Sequence, residues 1–356
     1  MSTTPTDTPL GRTVAETPTD IWNDSCNVDE LAQAVEFGAV GATANPTIVV
    51  DNWHADPVTW ATRARALADQ QPSWSEREVA WAIVAEMSQR AAPLLMTAFA
   101  ASGGRSGRLS IQTDPTNYRD VDALVEQALV FDGLAPNVIV KLPATRAGIA
   151  AMEEATYRGV SVNATVSFSV AQALAAAEAV ERGLERRDAE NRDTTRMGPV
   201  ITIMMGRLED WLRAAAERDS VAVHPSSLPW AGVATVKRAA AEWGARGFRA
   251  RLLAAAIRHH LHWSELIGGD LVITLPPAWQ RRFNASDVEV RSRIGDPVDP
   301  SHLAELRALD DFVRAFEPDG LAVSEFDAWG PTRKTLRTFI GSYHDLLHLV
   351  TEAQLG

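Results

Sequence analysis

The run Asn137-Val138-Ile139-Val140-Lys141-Leu142-Pro143-Ala144-Thr145 is a short, mostly apolar segment of this 356-residue chain. A short apolar run of this kind predicts a buried strand. Its one charged residue is Lys141, and burial would lower the pKa of that amine toward a neutral, nucleophilic form that can make a Schiff base. The other interpretation is a lysine at a strand end whose charged tip reaches water. The run by itself leaves both interpretations open.

Lysine is scarce in this chain. Among its 34 basic residues only Lys141, Lys237 and Lys334 are lysines, which is the usual sign of a coding bias toward arginine. Arginine cannot replace the chemistry of an amine, because its guanidinium does not deprotonate in proteins. A lysine kept inside a predicted strand is therefore a candidate for covalent catalysis.

Further apolar runs on both sides of this segment alternate with amphipathic stretches typical of helices. The predicted strands are residues 20–24, 39–43, 108–113, 137–142, 161–163, 199–205, 250–256 and 271–274. The predicted helices between them include residues 28–37, 75–101, 120–129, 146–158, 169–186, 207–216 and 230–245. Eight strands separated by helices predict an α/β fold of the (β/α)8 TIM-barrel type, and a doubly wound open sheet is the alternative. No Gly-x-Gly-x-x-Gly follows the early strands, so a dinucleotide site has no support.

The ends of the chain differ from this alternating pattern. Residues 1–17, rich in Thr, Pro and Asp, are expected to form a flexible tail, and residues 18–356 a single domain. A Pro-rich, charged stretch from about residue 276 opens a C-terminal extension with two predicted helices, residues 301–316 and 331–353. These helices either cap the mouth of the barrel or make a subunit contact, and the second case would give a homodimer.

Composition narrows the partners and the compartment. A formal net charge of −12 argues against nucleic acid as the main partner, because phosphate backbones require a basic surface. No apolar run approaches the roughly 18 residues that a membrane span needs. The single cysteine, Cys26, suits a reducing cytoplasm. A phosphorylated small molecule stays compatible with the acidic composition, since one or two arginines in a pocket can bind it.

Polar residues stand at or just after the ends of the predicted strands, where a barrel places its reaction site. They are Asp24, Asn45, Gln112, Lys141, Asn163, Thr165, Arg207 and Arg258. Together they suit an amine-catalysed reaction on a phosphorylated carbonyl compound. Each has a structural interpretation when taken alone: Asp24 as a helix cap, Asn45 as a turn residue before Pro46, and Arg207 on a solvated helix face. Their convergence is more informative than any single member.

Four segments carry a resemblance to the transaldolase family. Gly41-Ala42-Thr43-Ala44-Asn45-Pro46-Thr47-Ile48 resembles the Gly-Val-Thr-Ser-Asn-Pro-Thr signature of transaldolases. Thr19-Asp20-Ile21-Trp22-Asn23-Asp24 is similar to the family's first strand, and residues 137–145 with Gly148 are similar to its Schiff-base segment. Asn163-Ala164-Thr165-Val166-Ser167-Phe168-Ser169 matches the Asn-x-Thr-x-x-Phe-Ser element. The motifs follow the family order over about residues 18 to 280.

The resemblance implies a class I aldolase on a circularly permuted barrel that needs no metal and no other cofactor. Such an enzyme of the pentose phosphate pathway moves a dihydroxyacetone unit between phosphorylated sugars. The implied sugars are sedoheptulose 7-phosphate and glyceraldehyde 3-phosphate with erythrose 4-phosphate and fructose 6-phosphate. Lys141 would form the imine, Asp24 would take the proton from the C4 hydroxyl, and Thr165 would position the water that relays protons.

The same resemblance implies a set of substrate-binding residues. Asn45 and Asn163 would hold hydroxyls of the bound dihydroxyacetone unit. Arg207 and Arg258 would grip the phosphate. The remaining implied binding positions are Thr202 and Met204.

Three positions depart from the family pattern. Gln112 stands where transaldolases have a glutamate that shares the catalytic water, and glutamine there is typical of fructose-6-phosphate aldolases. Met204 replaces the usual Phe or Tyr, and Ala256 replaces a serine that helps to bind phosphate. Two alternatives therefore stay open: an aldolase or specialised carbon-transfer enzyme on an unusual sugar, and a non-catalytic relative that binds a sugar phosphate.

Two histidine clusters suggest a metal at first sight. His259, His260 and His262 cannot all face one ion on a regular helix, and no acidic ligand pattern accompanies them. His344 and His348 have the spacing of a metalloprotease helix, but Asp345 stands where such a motif has glutamate. We therefore expect both clusters to be structural.

Overall fold

Eight parallel strands close a barrel in chain order in the computed structural model, which describes residues 7–356. The strands are β1 Asp20–Asn23, β2 Gly41–Thr43, β3 Arg108–Gln112, β4 Val138–Pro143, β5 Val162–Thr165, β6 Val200–Met204, β7 Arg251–Ala255 and β8 Leu271–Leu275. Each pairs with its sequence neighbours, and β8 returns to β1. The prediction of a (β/α)8 barrel is confirmed, and the open sheet is excluded.

Helices surround this barrel. They are α1 Pro9–Glu16, α2 Val28–Glu36, α3 Pro46–Ala55, α4 Pro57–Gln70, α5 Glu76–Ala91, α6 Met96–Ala101, α7 Val121–Asp132, α8 Arg146–Arg158, α9 Val170–Ala189, α10 Met205–Arg218, α11 Trp230–Arg246, α12 Leu261–Ser264, α13 Pro277–Asn284, α14 Pro300–Leu306, α15 Asp310–Phe316 and α16 Gly330–Leu355. In the described part of the chain, none of them is long and apolar enough to cross a membrane.

The strand that carries Lys141 is held by the helix that follows it. The Thr145 side chain caps α8 by accepting a hydrogen bond from the backbone nitrogen of Gly148. A side chain at Gly148 would place its Cβ 1.7 Å from the carbonyl oxygen of Pro143, so only glycine lets α8 approach the end of β4. Inside the barrel, the apolar filling below the mouth includes Trp22, Ile139, Val200, Leu253 and Val272.

The prediction of a flexible tail over residues 1–17 is wrong for Pro9–Glu16, which form α1. Leu10 is buried, and its backbone nitrogen donates to Asn284 Oδ1 at 3.1 Å. The indole nitrogen of Trp263 donates to Thr13 Oγ1 at 3.2 Å. These contacts fix α1 against the elements that follow β7 and β8, while residues 1–6 lie outside the described residues.

The C-terminal extension covers the mouth of the barrel. The helix predicted for residues 301–316 is two helices, α14 and α15, because Leu309 has an extended backbone between them. The second predicted helix is α16, which packs on α3, α4, α5 and α10. Thr47 Oγ1 at the start of α3 lies 2.9 Å from Ser342 Oγ on α16. Of the two arrangements left open by the sequence, the structure shows the cap.

Candidate active site

A pocket of about 150 Å³ opens at the carboxyl ends of the strands, and eight of the ten predicted site residues line it. They are Asp24, Asn45, Lys141, Thr165, Thr202, Met204, Arg207 and Arg258. Phe339 of α16 and Pro276 after β8 form part of its wall. Gln112 and Asn163 lie close by on neighbouring strands but do not line this pocket.

Lys141 is buried, with 6% of its surface exposed, so its amine does not extend into bulk water and the strand-end interpretation is wrong. Its Nζ donates one hydrogen bond, to the carbonyl oxygen of Ala44 at 3.1 Å. Burial lowers the pKa of this amine to about 8, while the charges of Asp24 and Cys26 act in the opposite direction. Lys237, in contrast, donates to the Glu265 carboxylate and to two backbone carbonyls. The surroundings of Lys141 favour a neutral amine.

The strand register places two predicted residues beside Lys141. Gln112 on β3 and Asn163 on β5 are its direct partners across the sheet, and register partners point to the same face. The Asn163 amide donates to Ser110 Oγ at 2.9 Å, and its oxygen accepts from Thr202 Oγ1 at 2.7 Å. Asn163 therefore fixes Thr202 from below the pocket, and its contact with a substrate hydroxyl stays a prediction.

Asp24 follows β1 and is half-buried at the edge of the pocket. The hydroxyl of Thr43 donates to its Oδ1 at 2.5 Å, and Thr43 Oγ1 lies 3.3 Å from Thr274 Oγ1. Neither threonine is among the site residues predicted from the sequence. Thr43 stands inside the Gly41–Ile48 motif, which offered a signal, whereas Thr274 comes to Asp24 only when β8 closes the barrel against β1. The hydroxyl chain holds one carboxylate oxygen of Asp24, and no residue in the described part of the chain donates a hydrogen bond to the other.

Asn45 caps a helix, and its contact with a substrate hydroxyl stays a prediction. Its Oδ1 accepts the backbone nitrogen of Ile48 at 3.1 Å and so caps α3. Its amide nitrogen makes no hydrogen bond to any residue between 7 and 356. An asparagine that caps with its oxygen can still offer its amide nitrogen to a bound hydroxyl.

Gln112 is almost fully buried in a separate cavity of about 10 Å³, which it shares with Asn45 and Tyr343 of α16. Its Oε1 has no hydrogen-bond partner within the described residues. A buried amide oxygen without a partner is costly unless a bound molecule satisfies it. The oxygen is thus placed to accept a hydrogen bond from water, in a space of about the size that one water needs.

The loops after β5 and β7 are strained where they meet the pocket. Val166, directly after Thr165, has a φ of 53°, and Ala256, directly after β7, has a φ of 64°. Side chains with a Cβ rarely adopt this left-handed region, least of all a β-branched one. Backbone strain of this kind persists where the surrounding structure fixes a site.

Two arginines give one end of the pocket a positive charge. Arg207 is mostly buried with its guanidinium 5.0 Å from the centre of the Phe339 ring, and no residue from 7 to 356 accepts a hydrogen bond from it. Burial lowers the pKa of Arg207, and the nearby charge of Arg258 adds to that effect. Arg258 is exposed, and its Nη2 donates to Asp210 Oδ2 at 2.8 Å. Arg207 therefore has the free guanidinium, whereas Asp210 partly neutralises Arg258.

The histidines singled out in the sequence fall into two cases. His259 and His262 meet the carboxylate of Glu209, and the three residues could in principle hold a metal ion. The expectation that no acid accompanies them is wrong, because Glu209 comes from α10, far away in sequence. His344 and His348 join no group of three potential ligands in the part of the chain that the structure describes.

Comparison with known proteins agrees with this geometry. A family model described as transaldolase/fructose-6-phosphate aldolase matches residues 21–327. The chain belongs to this family. It is an enzyme of the transaldolase/aldolase kind by descent.

Relatives within the transaldolase/fructose-6-phosphate aldolase family are distant but span most of the chain. A transaldolase of Neisseria gonorrhoeae is 28% identical over 85% of this chain and 92% of its own length. A transaldolase of Parafrankia sp. is also 28% identical, over 89% of this chain and 92% of its own length. A transaldolase of Thiobacillus denitrificans is 30% identical over 53% of this chain and 54% of its own length.

Proposed function

We propose that this chain is a Schiff-base transferase that moves a dihydroxyacetone unit from a ketose phosphate to an aldose phosphate. The observation that carries the proposal is the buried amine of Lys141, which has a single backbone acceptor and faces a pocket shared with Asp24. A neutral amine next to a carboxylate suits imine chemistry on a carbonyl substrate. The family relationship supports the same chemistry.

The reaction begins at Lys141. Its neutral Nζ adds to the C2 carbonyl of the ketose phosphate, and loss of water leaves a protonated imine. Asp24 then takes the proton of the C4 hydroxyl, the C3–C4 bond breaks, and its electron pair moves toward the imine nitrogen. The shortened aldose phosphate leaves, and the three-carbon enamine stays bound to Lys141.

The second half of the reaction reverses these steps on a new acceptor. The enamine carbon attacks the aldehyde of another aldose phosphate, and Asp24 returns its proton to the new hydroxyl. Water then adds to the imine and releases the product ketose with the free amine of Lys141. Thr165 would position this water through its hydroxyl, and Gln112 would contribute its unpartnered oxygen from the small neighbouring cavity.

The substrate would lie along the pocket with its phosphate at the arginines. Asn45 donates its free amide to a hydroxyl of the dihydroxyacetone unit, while Thr202, fixed by Asn163, faces the same unit. Met204 forms an apolar wall beside Thr165. Arg207 binds the phosphate with its free guanidinium, and Arg258 adds a second contact.

The substrates that we propose are sugars of the pentose phosphate pathway. Sedoheptulose 7-phosphate or fructose 6-phosphate would be the donor, and erythrose 4-phosphate or glyceraldehyde 3-phosphate the acceptor. We place the enzyme in the cytoplasm, where its single buried cysteine stays reduced.

Borohydride trapping tests the imine. The purified chain is incubated with fructose 6-phosphate and borohydride, digested, and analysed by mass spectrometry for a three- or six-carbon adduct. We expect the adduct on Lys141 and none in Lys141→Arg, because guanidinium cannot form an imine. Lys334→Arg, at an exposed lysine, is the matched control and should label like the wild type. Absence of any adduct on the wild type would sink the transfer proposal and leave the sugar-phosphate-binding alternative.

A second candidate is direct aldol cleavage or addition, as in a fructose-6-phosphate aldolase or a specialised carbon-transfer enzyme. The glutamine at position 112 beside Lys141 favours it. The two candidates separate in a coupled assay that compares erythrose 4-phosphate with free glyceraldehyde as acceptor. A transferase prefers erythrose 4-phosphate, whereas an aldolase releases free dihydroxyacetone from fructose 6-phosphate without any acceptor.

A further inference from the structure

Three side chains outside the pocket form a buried polar cluster under the Arg258 loop. Glu209 of α10 is 2% exposed, and His262 is fully buried. The Nε2 atom of His262 lies 2.7 Å from Glu209 Oε1, and the Nε2 atom of His259 lies 2.9 Å from Glu209 Oε2. The proposed catalytic steps use none of these residues.

The hydrogen bonds fix the proton positions on His262. Its Nδ1 accepts the backbone N–H of Arg258 at 3.2 Å, so the ring proton must be on Nε2, which donates to Glu209. The backbone nitrogen of Gly232 adds a third donor to Glu209, at 3.3 Å. Burial alone would raise the pKa of the Glu209 carboxyl, but the hydrogen bonds from the two histidines outweigh it and lower the pKa. The cluster therefore holds an ionised carboxylate.

A metal ion fits this arrangement poorly. An ion on Nε2 of His262 would require the ring proton on Nδ1, and that atom already faces the N–H of Arg258. His259 has more freedom, because its buried Nδ1 has no partner among the described residues. The geometry favours a hydrogen-bonded support over a metal centre.

The support holds Arg258 from one helix at two places. The backbone of Arg258 is tied to α10 through His262 and Glu209, and its guanidinium is tied to Asp210 on the same helix. Close approach makes this possible, because a Cβ at Gly206 would stand 1.9 Å from the carbonyl oxygen of Ala256. Since Arg207 also belongs to α10, the helix sets both arginines relative to one another.

We infer that Glu209 and His262 are positioning residues for Arg258, and that they set the affinity of the enzyme for the phosphorylated end of its sugar. The inference rests on the proposed function, which places the phosphate at Arg207 and Arg258. Glu209 and His262 touch no substrate. They act by fixing the backbone from which the Arg258 side chain extends.

Two substitutions at His262 separate positioning from mere packing. His262→Asn keeps an acceptor near the place of Nδ1 for the N–H of Arg258 and loses the bond to Glu209. His262→Gln keeps a donor near the place of Nε2 for Glu209 and loses the acceptor for Arg258. If the cluster positions Arg258, His262→Gln should raise KM for fructose 6-phosphate about tenfold, the effect of one lost hydrogen bond, with kcat unchanged. His262→Asn keeps the direct acceptor for Arg258 and loses only the tie to Glu209, so it should raise KM less than His262→Gln.

Urea unfolding should rank the stabilities of the same two variants in the opposite order to their effects on KM. His262→Asn leaves the buried Glu209 carboxylate with one donor fewer, so its midpoint should fall further than that of His262→Gln. A purely structural cluster would instead change KM and stability in the same order. That parallel order would overturn the inference.

Two substitutions at Glu209 give a second pair of variants for the same test. Glu209→Gln can still accept from His262 with its oxygen and donate to His259, whose ring can change tautomer, so KM should rise only slightly. Glu209→Leu removes the contacts of Glu209 with both histidines and should raise KM at least as much as His262→Asn, which loses only one of them. Equal KM values for Glu209→Leu and the wild type, with the fold intact by circular dichroism, would contradict the positioning role.

A binding measurement that needs no turnover completes the test. Inorganic phosphate should raise the unfolding temperature of the wild type and of His262→Asn, and should protect His262→Gln less. If phosphate protects in this order while borohydride traps no imine, the proposed function fails and the positioning role stands. Absence of phosphate protection in the wild type overturns the inference, as does one equivalent of Zn²⁺ bound by the wild type and lost in Glu209→Gln.

Discussion

At Lys141, burial lowers the pKa of the amine and nearby negative charge raises it, and the balance sets the pH above which the amine is reactive. Burial brings its pKa to about 8, so the neutral fraction grows as the pH rises through that value. We expect the rate of imine trapping to increase from about pH 6, to be half-maximal near the Lys141 pKa and to level off above it. The measurement is a single-turnover borohydride trap at a series of pH values.

The charge of Asp24 raises the pKa of Lys141, so removal of that charge should lower this pKa. Asp24→Asn removes a negative neighbour that stabilises the ammonium, so the midpoint of the trapping curve should move to lower pH. Thr43→Val is the control, because it removes a hydrogen bond of Asp24 but keeps the charge. A midpoint that moves upward in Asp24→Asn would mean that another group controls the titration.

Substitution of Asp24 should affect cleavage of the C3–C4 bond but not formation of the imine. Asp24→Ala should still form the imine with fructose 6-phosphate, since Lys141 keeps its burial and its backbone acceptor. Cleavage of the C3–C4 bond should slow by roughly 10²–10⁴-fold, the usual contribution of a general base. Mass spectrometry of the trapped protein should therefore show the six-carbon adduct in place of the three-carbon one. Loss of all labelling with the fold preserved would contradict this role.

A substitution at Gln112 tests its proposed contact with the catalytic water. Gln112→Glu places a carboxylate in register with Lys141, in the small cavity that the unpartnered amide oxygen now faces. A positioned acid or base contributes roughly 10²–10⁴-fold. We expect about a tenfold gain in transfer from fructose 6-phosphate to erythrose 4-phosphate, because in the proposed mechanism Thr165 would already position the catalytic water. Slower turnover would favour the aldolase alternative. Unchanged rates in both reactions would place Gln112 outside the proton path.

At the scale of one element, α10 carries Arg207, which we propose binds the phosphate, and Asp210, which holds the guanidinium of Arg258. Arg207 has a free guanidinium, whereas Arg258 shares its charge with Asp210. Arg207→Ala should therefore weaken the binding of fructose 6-phosphate by about 2–4 kcal/mol, and Arg258→Ala by less than half of that. Asp210→Asn should lower KM, since it releases Arg258 for the ligand. Fructose without phosphate is the control, and equal losses for both sugars would remove the arginines from the phosphate site.

The elements also show how far sequence reasoning extends. All eight strands follow from short apolar runs, because a barrel strand is buried on both faces and leaves that pattern in its own residues. The helices α3 and α4 were missed: each begins with a proline after a capping residue, Asn45 or Asp56, and their apolar residues are weakly periodic. Residues at strand ends were found because the barrel brings all such ends together.

Contacts between elements that are distant in the sequence could not be predicted from it. Thr274 meets Asp24 only through closure of β8 on β1, and Glu209 meets His262 only because α10 packs beside the loop after β7. No local pattern records such a partner. The covering of the mouth by α16 likewise depends on where the extension folds back, which its amphipathic pattern alone does not specify.

At the scale of the whole molecule, one carboxylate joins the C-terminal extension to the barrel. Asp311 of α15 accepts the indole N–H of Trp211 on α10 at 2.6 Å and that of Trp329 at 2.9 Å, directly before α16. Trp329 in turn lies edge-on to Phe168, which follows β5. Through these contacts the helix that covers the mouth is fixed to the helix that carries Arg207.

This joint predicts that the barrel and its extension unfold as one unit. Asp311→Ala should lower the free energy of unfolding by about 2–4 kcal/mol, because it leaves two indole donors without a charged acceptor. Asp311→Asn, which keeps one acceptor oxygen, should lose about half as much. Urea unfolding followed by tryptophan fluorescence and by circular dichroism should give coincident transitions in the wild type and in both variants. A separate early transition that carries the whole effect of Asp311→Ala would instead show that the extension is a second domain, and that residues 18–356 do not fold together.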